Sequence, residues 1–114
     1  MREFVKVMKA LSDPNRVKII KMLERESMCV CELECALGIA QPTVSKHLKV
    51  LEEAGLAAYQ KDKLWVNYML ADGKRNDYAE MMLGNLKGWL NEVSEIRTLV
   101  EKLPEIDREK ICRR

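Results

Sequence analysis

Two apolar spacings separated by a three-residue gap constrain this chain more than any other feature. In the stretch "CELECALGIAQPTVSKHLKVLEEAGL", Leu33 and Leu37 lie one helical turn apart, and the run closes on Gly38. From Gln41 the apolar positions Val44, Leu48 and Leu51 repeat at three and four residues, with Pro42 tolerated in the first turn. Gly55 then supplies a left-handed stop. Two short helices joined by the tight turn "GIA" over residues 31–54 are the signature of a helix-turn-helix.

The flanks extend this reading. Phe4, Val7, Met8 and Leu11 predict a first helix over residues 3–11. Asp13 is a good N-cap, and Pro14 suits the first position of a second helix that runs to about Arg25. After residue 55, Tyr59, Val66, Tyr68 and Leu70 favour strands around the tip "KDK", which predicts a hairpin over about residues 56–70. Met82, Leu86, Leu90, Val93, Ile96, Val100 and Leu103 then form one stripe, which predicts a single long helix over about residues 78–103. Pro104 stops it and leaves a tail over 104–114. The expected fold is mainly α with a β-hairpin wing, a winged helix-turn-helix filling residues 1–114 as one domain.

Composition narrows the function classes. A chain of 114 residues holds one modest core. No apolar run reaches the roughly 20 residues of a membrane span, and the start "MREFVKVMKALSD" lacks the apolar centre of a signal peptide. We therefore expect a cytoplasmic protein with no membrane partner, in which clustered cysteines favour metal or redox chemistry over a disulfide framework. The net charge of +2 permits a nucleic-acid partner if the basic side chains gather on one face.

Such a face exists on paper. Opposite Val44, Leu48 and Leu51, the second helix of the pair offers Gln41, Thr43, Ser45, Lys46 and Lys49, with His47 at the boundary. Amides, hydroxyls and amines are the groups that bond base edges and phosphates. Lys61 and Lys63 at the wing tip are placed to hold the flanking backbone. A solvated polar face is the bland alternative for any one helix. The combination of turn, helix and wing favours double-stranded DNA.

Three of the four cysteines, Cys29, Cys31 and Cys35, crowd into "CVCELEC" immediately upstream. Residues two apart sit about 200° apart around a regular helix, so Cys29 and Cys31 cannot face one ion while both are helical. Cys31 and Cys35 are four apart and share a face. A site using all three requires residues 28–30 to leave the helix and fold back over its first turn. Thiolates select soft ions, and the positive end of a helix with nearby Lys and Arg favours anionic sulfur. Core packing is the competing reading for Cys35.

The segments "ALSDPNRVKIIKML", "CVCEL" and "LGIAQPTVSKHLKVLEEAGL", with the wing, resemble the ArsR/SmtB family of winged-helix metal-responsive repressors over about residues 4–70. "CVCEL" points to the arsenite- and cadmium-sensing branches. The resemblance implies a homodimer that represses metal-resistance operons and releases DNA on binding metal, with Cys29, Cys31 and Cys35 as ligands. Three thiolates suit arsenite or antimonite, whereas four-coordinate cadmium or zinc needs another ligand, which Cys112 could supply only from a folded-back or partner tail. The family's zinc site on the final helix depends on histidine, and His47 is the only histidine here. Three positions depart from the pattern: Ala40 replaces a Ser or Thr cap, Lys63 replaces a frequent Gly, and Cys35 follows Cys31 by four residues rather than three.

The stripe from Met82 to Leu103 is wide enough to need a partner, which favours a two-fold dimer built on this helix and the first, with Trp89 as a candidate anchor. Two alternatives keep the DNA binding: a cadmium- or lead-sensing repressor, and a thiol redox sensor using the same cysteines. An enzyme is not expected. There is no Cys-x-x-Cys beside a βαβ unit, no phosphate-binding glycine loop and no histidine placed as a base.

Overall fold

The computed structural model describes residues 1–107. Cys112 and the end of the tail lie outside them. The chain runs α1 (Arg2–Ala10), α2 (Pro14–Leu23), α3 (Val30–Leu37), α4 (Gln41–Glu53), β1 (Ala57–Asp62), β2 (Trp65–Leu70), α5 (Asp77–Gly88) and α6 (Ser94–Lys102), followed by a 3₁₀ turn at Leu103–Glu105. The expected winged helix-turn-helix is the observed architecture.

The punctuation works as the residue types dictate. The Asp13 carboxylate accepts from the Asn15 and Arg16 N–H groups at 2.8 and 3.3 Å, satisfying two donors that the start of α2 leaves open. Gly38 and Gly55 end α3 and α4 at φ +71° and +79°, conformations that cost a side chain-bearing residue strain. Strands β1 and β2 pair antiparallel from Ala57 opposite Leu70 to Asp62 opposite Trp65. The wing tip is therefore the pair Lys63–Leu64 rather than "KDK", and Lys63 adopts φ +56°, a conformation that favours glycine.

Apolar faces of the helices meet in one core. Val7 of α1, Ile19 and Ile20 of α2, Leu33 of α3, Val44, Leu48 and Leu51 of α4 and Leu86 of α5 are all buried. Of the helix pair, α4 packs on α1 and α2, and α3 on α6 and β2.

The long helix expected over residues 78–103 is two helices. α5 stops at Gly88, Trp89 turns to an extended conformation, and Leu90 takes φ +67°, strained for a branched side chain. A residue of α2 holds the corner. The Lys21 side chain is 1% exposed, and its ammonium donates to the Leu86 and Trp89 carbonyls while pairing with Glu24 at 2.9 Å. A cation is favoured there, where the end of a helix leaves carbonyls open. After the break α6 folds back against α2 and α3, so Ile96, Leu99 and Leu103 are buried within the same chain. That part of the expected dimer stripe is internal. What stays exposed is Phe4 and Val5 of α1, Tyr78 and Met81 of α5, and the corner Trp89, Leu90 and Val93.

Candidate nucleic-acid interface and thiol segment

On α4 the side chains sort as the helical spacing requires. Val44, Leu48 and Leu51 are buried, while Gln41, Thr43, Ser45, Lys46 and Lys49 are all exposed. Ala40 stands at the N-cap with no side-chain bond, so only its carbonyl, accepting from the Thr43 and Val44 N–H groups, closes the first turn. Lys61, at the far end of β1, and Lys63, in the turn, are both exposed. The structure therefore carries the amides, hydroxyls and amines of the expected face on one helix, with two ammonium groups on the wing.

His47 sits at the edge of that face, half-buried, with its Nδ1 3.2 Å from Nη1 of Arg16. A guanidinium has no acceptor, so this bond requires Nδ1 to accept and places the ring proton on Nε2. Arg16 also donates from Nε to the Ala10 carbonyl (2.7 Å) and from Nη2 to the Lys9 carbonyl (3.1 Å). One guanidinium thus caps the end of α1 and braces α4. Burial alone would raise the Asp13 carboxyl nearby. The Arg16 and Asn15 N–H groups, with the Arg16 guanidinium close by, hold it below the usual carboxylate range instead.

The far end of α4 is held by two residues on which the sequence reading placed no role. Arg75 donates to the Glu52 and Glu53 carbonyls at 3.0 and 3.1 Å. Asn76 donates to the Ala54 carbonyl at 3.2 Å while its Oδ1 accepts from the Tyr78 and Ala79 N–H groups. Along this end, burial and the neighbouring Glu53 raise the Glu52 carboxyl, with Lys49 opposing; burial, Glu52 and Tyr59 raise the Tyr68 hydroxyl on the wing. An Asn at the start of a helical run was a visible cap signal; its bond to the preceding helix was not visible in the sequence.

The three cysteines among the described residues occupy three different environments. Cys29 is the N-cap of α3, extended at φ −88° and ψ 169° and 4% exposed. It forms a capping box with Glu32, whose carboxylate accepts from the Cys29 N–H at 2.9 Å. Cys31 lies half-buried in the first turn, and Cys35 is exposed one turn further on, so core packing does not describe Cys35. Among the described residues, no group of three or more His, Cys, Asp or Glu side chains lies close enough to hold a metal ion. The thiols are adjacent along the chain but are not gathered in this conformation.

The segment is tied at both ends. Met28 exchanges backbone bonds with Tyr68 of β2 (3.0 and 2.8 Å), extending the wing by one bridge. At the other end, the Lys102 ammonium of α6 donates to the Ala36 carbonyl of α3 at 3.0 Å. α3 also packs directly on α4. Among the described residues, no helix is long and apolar enough to cross a membrane.

Known proteins resemble this chain in sequence and fold. Residues 13–59 match the family model described as "Bacterial regulatory protein, arsR family". An uncharacterized HTH-type transcriptional regulator from Methanocaldococcus jannaschii, MJ1325, is 36% identical over 77 residues, spanning 67% of this chain and 86% of its own. The arsenical resistance operon repressor of Escherichia coli is 40% identical over 68 residues, spanning 59% of this chain and 58% of its own. The crystal structure of the transcriptional repressor BigR from Xylella fastidiosa superposes with a TM-score of 0.64 at 31% identity, covering 76% of this chain and 82% of BigR. A helix-turn-helix with its polar face outward, a wing beside it and these likenesses have one meaning: the chain belongs to the ArsR family of bacterial regulatory proteins, winged-helix transcriptional regulators rather than enzymes.

Proposed function

We propose that the chain is a homodimeric repressor that binds operator DNA through α4 and the wing, and releases it when arsenite binds Cys29, Cys31 and Cys35. The observation that carries this reading is the position of Cys29. It already stands off the helix, between a backbone bridge to the wing and the first turn of the helix that supports α4.

Arsenite is a trivalent, thiophilic species, and three thiols replace its three hydroxyls with release of three waters. The chain's own part is to bring those sulfurs together. Cys29 must leave its capping box with Glu32, and Cys35 must swing from solvent toward the first turn. Both movements strain the start of α3, and they pull on the Met28–Tyr68 bridge. A coupling of about 1–3 kcal/mol between thiol and DNA sites changes operator affinity from several-fold to about a hundred-fold. Antimonite fits the same donor set; four-coordinate cadmium fits it less well, because it takes a further ligand.

The dimer rests on the exposed apolar patch of Phe4, Val5, Tyr78 and Met81, where Phe4 and Tyr78 pack edge to face at 5.5 Å. A second copy related by a two-fold axis covers this patch and pairs two recognition helices for half-sites one DNA turn, about 34 Å, apart.

A mobility-shift titration on the chain's own promoter region, at several salt concentrations, tests the reading. Binding that weakens with salt, and release by micromolar arsenite ahead of zinc, support it. DNA binding that no thiophilic ion disturbs overturns the sensing role. Release by oxidant alone moves the signal to thiol oxidation.

A further inference from the structure

The carbonyls of Glu52 and Glu53, which end the recognition helix, and of Ala54, its C-cap, accept side-chain bonds from the two residues that precede α5. The Arg75 fork spans two adjacent carbonyls, which fixes a direction as well as a distance. Asn76 is buried and bonds in both directions. Its amide N–H reaches back to Ala54 and to the Glu3 carboxylate of α1 at 3.3 Å, and its oxygen caps α5. Gly55 passes so close that an added Cβ would meet the Asn76 side chain at 3.4 Å. The opposite end of α4 has no side-chain cap at Ala40. Apolar packing through Val44, Leu48 and Leu51 is non-directional. Beside the Arg16–His47 contact midway along α4, the bonds at its C-terminal end are what add direction.

We propose that Arg75 and Asn76 are positioning residues for DNA recognition: they weld the end of α4 to the start of α5 and so set the angle between the two recognition helices of the dimer. The inference rests on the dimeric DNA-binding reading above. It concerns neither the residues that touch DNA nor the thiols. Each recognition helix keeps its own contacts without the weld. What the weld supplies is the spacing that lets both helices reach their half-sites together.

Two variants test it. Arg75→Met removes an exposed side chain. Asn76→Ser keeps an oxygen that caps α5 and, being shorter, removes the N–H that holds Ala54 without adding a charge beside Glu3. Each is measured as the purified full chain on a footprinted promoter duplex and on the same duplex with one half-site scrambled. Expected for both variants is a loss of about tenfold on the intact duplex and less than about twofold on the scrambled one, with helix content and dimer mass unchanged. Equal losses on the two duplexes, or none on either, overturn the proposal. If the wild-type chain binds neither duplex, the DNA-binding reading itself fails and takes this one with it.

Discussion

Met28 and Tyr68 face each other across two backbone hydrogen bonds, so the residue before the first thiol is an extra rung of the wing. Any pull on Cys29 is felt first by that rung. We predict that arsenite raises the hydrogen-exchange rate of the Met28 and Tyr68 amides, while amides in the middle of α2 are unchanged. Exchange measured by NMR or mass spectrometry checks this. Unchanged protection at both residues would mean that the wing takes no part in the response.

Lys21 predicts a stability effect that is independent of metal. Its ammonium, pressed against two carbonyls and Glu24, is compensated only while all of them are present. Lys21→Met leaves the Glu24 carboxylate buried without its cation, and breaking a buried pair from one side costs about 3 kcal/mol or more. Replacing both residues by apolar ones, as Lys21→Met with Glu24→Leu, recovers most of the loss. Urea denaturation of the three proteins measures it. The single variant also frees the Leu86 and Trp89 carbonyls, so helix content near the break is expected to change with it.

Asp13 predicts the acid limb of stability. Its carboxyl titrates below the usual range when folded, so the unfolded chain binds the proton more readily. Its contribution is therefore complete above the unfolded value of about 3.9 and fades as the pH falls through the lower folded value. Asn caps a helix about as well as Asp and does not titrate. Asp13→Asn should match the wild type once the pH is below the lowered folded value, and lose the increment that the wild type gains on going up to about pH 5. Denaturation midpoints across that range decide it.

Much of this architecture is legible in the residues because local chemistry alone determines it. Asp13–Pro14 starts α2, Gly38 and Gly55 stop α3 and α4, and the Val44, Leu48, Leu51 spacing turns the polar face of α4 outward. The break after Gly88 is not legible. The apolar stripe continues through Leu90 and Val93 without interruption, and the lysine that holds the corner lies far away in the chain and reads as an ordinary surface residue. The thiols divide the same way. Four-residue spacing says that Cys31 and Cys35 share a face, yet only the packing of α3 against α4, α6 and β2 decides that Cys35 faces solvent while Cys29 is buried. The Arg75–Asn76 weld belongs with Lys21, being a pairing between elements that no periodicity encodes.

The most direct measurement is operator release by arsenite in single cysteine variants, followed by fluorescence anisotropy of a labelled promoter duplex under reducing conditions. Cys29→Ser, Cys31→Ser and Cys35→Ser should each bind the duplex as the wild type does and require at least about tenfold more arsenite to release it. Full arsenite sensitivity in Cys31→Ser would contradict the thiol site at the start of α3 and, with it, the account given of how this repressor lets go of DNA.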